Sequence, residues 1–99
     1  MLGTIRIEAI TEPRECGHRW IKLVAETNDG RELHAIIPIG TEEGRCPSCG
    51  LVWKAEGADD ALTTSPSYVC DWGDGCRVHL YVRAGKLDMI SDSTLSAKE

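Results

Sequence analysis

Apolar and polar residues alternate with period two through Thr4-Ile5-Arg6-Ile7-Glu8-Ala9-Ile10, the pattern of a half-buried strand. Thr11-Glu12-Pro13 ends it, because proline has no amide to give to a ladder. A second strand is expected from Arg19 to Ala25, and Leu33 to Ile39 returns beside it. Between them stands Asn28-Asp29-Gly30, in which Asp-Gly is a strong tight-turn signal. Residues 19–39 therefore form the clearest hairpin. A polar loop, Gly40 to Arg45, then leads to Cys46, and Leu51-Val52-Trp53 is a short strand. Glu56 to Pro66 reads as a loop with one helical turn near Asp59 to Leu62. A second hairpin is expected over 67–83, with Asp71-Trp72-Gly73-Asp74-Gly75 as a five-residue loop. The polar stretch 91–99 reads as a flexible tail. Long amphipathic helical patterns are absent. The expected architecture is mainly β, a single small antiparallel β-hairpin domain over residues 1–90.

Composition adds a constraint. The 99 residues contain no Phe, and three Trp and two Tyr supply all the aromatic bulk. A core that thin calls for a staple, because a small domain buries a small share of its surface. Five cysteines are available, and an odd number does not suit a closed disulfide framework. Nothing near Met1 has signal-peptide pattern and no stretch reaches membrane-span length, so a cytoplasmic location without membrane association is expected. In a reducing compartment clustered cysteines point to metal or redox chemistry.

Cys46-Pro47-Ser48-Cys49-Gly50 is the strongest chemical signal. Two intervening residues let a tight turn aim both sulfurs at one point, and Gly50 tolerates the positive φ that closes such turns. Thiolates are soft ligands that favour zinc over magnesium or calcium. These five residues resemble the knuckle of the zinc-ribbon family, in which β-hairpins join two cysteine knuckles around one structural zinc ion. The resemblance implies Zn2+ as cofactor, with Cys46 and Cys49 as ligands.

Two completions of the shell compete. The downstream one adds Cys70 and Cys76, separated from the first pair by twenty intervening residues, giving the favoured set Cys46, Cys49, Cys70 and Cys76. The upstream one adds Cys16 and His18, since Cys16-Gly17-His18-x-Trp20 also resembles a ribbon segment, although Pro13 stands where that family has a cysteine. Read alone, Cys16 is more often an inert buried thiol. His34 is expected to be structural. His79 is more simply a strand residue than a substitute ligand.

The formal net charge is −5, and both halves of the chain are acidic. Nonspecific nucleic-acid binding needs Lys and Arg to displace counterions, so this balance disfavours it. Four protein ligands would leave no open position for catalysis. Cys-Pro-x-Cys is also a redox pattern, but strand-like residues follow it where a helix would be needed. The expected function is a non-enzymatic zinc-binding interaction module for a protein partner with a basic surface. The alternative is a nucleic-acid-binding or transcription-accessory zinc ribbon. Trp72, expected at a loop tip, is the candidate contact residue.

Overall fold

In the computed structural model, which describes residues 2–98, the chain is almost entirely strand and turn. The strands are β1 (Gly3–Ile10), β2 (Arg19–Thr27), β3 (Glu32–Gly40), β4 (Gly44–Cys46), β5 (Gly50–Glu56), β6 (Thr63–Ser65), β7 (Tyr68–Gly73), β8 (Cys76–Arg83), β9 (Lys86–Met89) and β10 (Ser96–Ala97). One 3-10 turn, Asp59–Ala61, stands between β5 and β6. No helix is long and apolar enough to cross a membrane.

The larger sheet runs β10-β1-β2-β3-β5-β4, with β6 also on β5, and the smaller one runs β7-β8-β9. Most neighbours are antiparallel. The exceptions are β1 with β10 and β3 with β5, the latter pairing Ile39 with Trp53. The 19–39 hairpin forms as expected, with Arg19 opposite Ile39 and Glu26 opposite Glu32.

The core lies between the two sheets. The larger sheet contributes Ile5, Ile21, Leu23, Ile37 and Ile39, and the smaller contributes Tyr68, Val78, Leu80 and Val82. In β8 the alternation is complete: Cys76, Val78, Leu80 and Val82 are buried, while Arg77, His79, Tyr81 and Arg83 alternate with them on the opposite face. The aliphatic side chains are β-branched or leucine, which suit a pleated packed surface. Leu62 and Leu95 close the edges of this core.

Three expectations change. The 67–83 hairpin has a two-residue turn, Asp74-Gly75, with φ of 54° and 80°. Positive φ at both positions matches the right-handed twist of the flanking strands, and Asp-Gly is the sequence that supplies it. Trp72 consequently lies within β7, half-buried against the core, and its Nε1 donates to the carbonyl of His34 at 3.0 Å. It docks the small sheet on the large one instead of standing at a loop tip. The 56–66 segment adds the short strand β6 to its expected helical turn. Most of the expected flexible tail is tied down. Leu95 is 3 % exposed, Thr94 exchanges backbone hydrogen bonds with Leu2 and Arg77, and β10 pairs with β1. Met1 and Glu99 lie outside the described residues.

Trp72→Phe keeps the aromatic area but removes the Nε1–H···O bond to His34. It is expected to lower unfolding free energy by about 1 kcal/mol in urea titration, with metal content unchanged. Unaltered stability would show that this bond does not hold the sheets together.

Candidate metal centre

Two loops converge at one end of the larger sheet. The first joins β1 to β2. The Thr11 amide bonds the Trp20 carbonyl, the Arg14 amide bonds the His18 carbonyl, and the Gly17 amide closes a turn onto the Arg14 carbonyl. Gly17 has φ of 86°, a conformation that a side chain would strain. This narrow loop carries Cys16 and His18. The second is the turn of the β4–β5 hairpin, where Cys46 pairs with Gly50, also at positive φ, and Cys49 projects from between them.

The pairing of β2 with β3, and of β3 with β5, brings these loops together. Ligand atoms of Cys16, His18, Cys46 and Cys49 all lie within 4.8 Å of one another. Cys16 Sγ is 3.4 Å from Cys49 Sγ, and Cys49 Sγ is 3.9 Å from His18 Nδ1. A disulfide would need about 2.05 Å, so the thiols are free. Ligands on a tetrahedral ion at about 2.0–2.3 Å sit about 3.3–3.8 Å apart, and these separations are close to that spacing.

The structure therefore joins Cys46 and Cys49 to the upstream pair. Cys70 and Cys76 stand outside this group. Cys76 is 1 % exposed, in phase with Val78, Leu80 and Val82, so its thiol belongs to the inter-sheet core. Cys70 faces Val78 across the ladder, and Gly73 faces Cys76, so the hairpin does not present the two cysteines as a pair. Burial pushes the Cys70 thiol up, as for an inert core cysteine. His79 bonds Asp92 through Nδ1 at 3.0 Å and Ser67 through Nε2 at 2.9 Å, away from the four-residue group. Exposed His34 bonds Glu32.

Electrostatics prepare the four donors for a cation. Backbone amides of Ser48 and Cys49 donate to the Cys46 sulfur and hold its pKa down to about 6. The His18 amide, then the Cys49 thiol, lower Cys16 in the same way. Cys49 is pushed up, first by its hydrogen bond with Cys16 and then by burial. The nearby Cys16 and Cys46 sulfurs push His18 up. Two sources act: backbone amides favour the thiolates of Cys46 and Cys16, and the neighbouring sulfurs oppose ionisation of Cys49 and favour a charged His18.

Two supporting residues fit the same picture. The Trp20 indole N–H is buried with no conventional hydrogen-bond partner, and its electrostatic influence falls on Cys49, whose thiolate form it favours. An ionised Cys49 would give this N–H an acceptor. Arg14 stacks over the Trp20 ring at 3.8 Å and covers it. Gly40, at the end of β3, leaves room for the His18 ring; a Cβ there would meet His18 Cδ2 at 2.9 Å. The sequence placed Trp20 in the ribbon-like segment but gave it no role toward Cys49, and it did not single out Gly40. A tryptophan two residues beyond a histidine looks like ordinary core, and one glycine at a strand end carries no distinctive signal.

No family model, curated protein or solved structure matches this chain. What the geometry supports is a small domain with a possible metal-binding Cys/His site.

Cys16→Ser and Cys46→Ser are each expected to lower metal content sharply by native mass spectrometry, while Cys70→Ser leaves it unchanged. The opposite ranking would return the site to the downstream cysteines. Gly40→Ala should weaken metal retention about tenfold by crowding His18, in a chelator competition assay. Wild-type retention would remove His18 from the shell. In metal-free protein, Cys46 should alkylate first near neutral pH. Its folded pKa is depressed, so its thiolate persists until the pH falls through about 6. Faster labelling at Cys49 would contradict this order.

Proposed function

We propose that the chain is a non-enzymatic recognition module, stapled by one structural Zn2+ on Cys16, His18, Cys46 and Cys49, whose partner is a protein with a basic surface. Zinc is favoured by the donor set, since three thiolates and one imidazole form a common closed tetrahedral shell. Four protein donors leave no position for water, so the ion serves folding rather than catalysis. His18 would bind through Nδ1, the nitrogen that faces Cys49.

The observation that carries the recognition reading is the surface beside the site. Leu51 follows the knuckle directly and is 51 % exposed. It lines an open, largely apolar cleft with Val52, Trp53 and Pro66, bordered by Glu43 and Arg45. Exposed Glu12, Glu15, Glu42 and Glu43 flank the two loops that carry the Cys and His donors, and none of them is in an ion pair among the described residues. An apolar anchor with acidic surroundings suits a basic protein surface, where charge speeds encounter and the anchor supplies affinity. The same acids disfavour a phosphate backbone at this face.

An enzyme reading would rest on Asp92, His79 and Ser67, which share the connectivity of a serine nucleophile and its base. These residues have structural work as well. The His79 amide bonds Ser93 Oγ, and Asp92 pairs with Arg77, so the chain of bonds clasps the segment after β9 onto β8. We read it as that clasp.

Leu51→Ser and the double variant Glu42→Gln/Glu43→Gln are expected to keep zinc content and melting temperature while weakening capture of the physiological partner. Loss of zinc with loss of capture would make this face structural. Labelling of Ser67 by a fluorophosphonate, lost in His79→Gln, would overturn the non-enzymatic reading.

A further inference from the structure

A second cleft, of ≈ 640 Å³, lies where β1, β9 and the end of β10 meet. It is lined by Arg6, Lys86 and Lys98, with Ile7 and Leu87 as apolar walls. Three basic residues line it with no carboxylate among the lining residues, in a chain whose net charge is −5. Four other arginines show what this chain does with a guanidinium that has a structural role. Arg19, Arg31, Arg77 and Arg83 each pair with an aspartate. Arg6, Lys86 and Lys98 enter no ion pair among the described residues.

Arg6 carries the stronger anomaly. Its Nη1 is shut off from solvent and has no hydrogen-bond partner. A buried charged N–H without an acceptor is costly, and such groups are rare in folded proteins. The three cations also sit on separate, fixed pieces of backbone. Arg6 is opposite Val24 in the β1–β2 ladder. Lys86 opens β9 opposite Arg83, after the Ala84-Gly85 turn with φ of 49° and 77°. The Lys98 amide bonds the Ile5 carbonyl.

We propose that this cleft binds a phosphate dianion, either free or as the terminal group of a small phosphomonoester. A single carboxylate is satisfied by one bidentate arginine. A phosphate dianion presents more oxygens and more charge, which matches one planar guanidinium and two ammonium groups. Arg6 lines the cleft, so an anion held there compensates a guanidinium whose shielded Nη1 has no acceptor of its own among the described residues. Ile7 and Leu87 offer apolar contact to the organic part of an ester. A nucleic-acid backbone is a poorer match, since it asks for a track of cations along its length. This site is separate from the metal centre and does not depend on the recognition reading above.

The test is a 15N NMR titration of the zinc-loaded full chain at fixed ionic strength, with inorganic phosphate, adenosine 5′-monophosphate, adenosine and a short DNA duplex as separate probes. Phosphate should give saturable shifts at the amides of Arg6, Leu87 and Ala97, and adenosine should give none there. Tighter binding of the monophosphate than of phosphate assigns the site to small esters, and equal affinity assigns it to the free ion. Arg6→Gln should weaken binding about tenfold. Lys86→Gln/Lys98→Gln, which alters only lysines outside the core, should also weaken it without disturbing the remaining spectrum. Absence of saturable shifts, wild-type affinity in both variants, or the same shifts from chloride would overturn the proposal. Duplex binding at these amides that is tighter than phosphate would replace it with a nucleic-acid site.

Discussion

Three cysteine sulfurs and an imidazole share a space in which every ligand atom is within 4.8 Å of the others. Hydrogen bonds alone do not resolve that crowding. Amides stabilise charge on Cys46 and Cys16, while the Cys16 sulfur opposes charge on Cys49. A divalent cation would remove the conflict by letting all three thiols ionise together. The β1–β2 loop and the β4–β5 turn would then be fixed to one point. These elements belong to the part of the chain with the fewest buried side chains: β4 and the knuckle contribute none to the core. A metal there would act where hydrophobic packing is weakest, as expected of a small domain with a thin core.

Away from that end, stability comes from ordinary sheet-on-sheet packing. Period-two alternation in β8 supplies one face of the core, and β2 and β3 supply the other. The two regions meet at Ile39 and Trp20, residues of the β2–β3 hairpin beside His18. Metal removal should therefore loosen the knuckle end before the inter-sheet core. The cleft at Arg6 lies on other strands, away from the four clustered Cys and His residues.

Much of this was legible in the sequence. Alternation located β1, and the Asp-Gly turn fixed the register of β2 with β3, because apolar pattern and turn chemistry agreed. Cys46 and Cys49 were readable from spacing alone. Their partners were less so, because Cys16 and His18 meet the knuckle only through the β2–β3–β5 order, which no local pattern encodes. Pro13, standing where a ribbon cysteine is expected, also drew attention away from His18. The signal against Cys76 was present: it is the first member of the Cys76, Val78, Leu80, Val82 alternation, which marks a core face. Likewise Asp74-Gly75 is by itself a complete two-residue turn, and reading it so would have put Trp72 in a strand. The C-terminal segment was obscured because one buried leucine, Leu95, and a few backbone bonds anchor an otherwise polar stretch.

The central claim is the composition of the shell, and X-ray absorption at the zinc edge reads it directly. On this account the metal-loaded protein shows three sulfurs at about 2.3 Å and one nitrogen at about 2.0–2.1 Å, and His18→Ala loses the nitrogen signal. A four-sulfur shell, unchanged in His18→Ala and altered in Cys70→Ser, would contradict it.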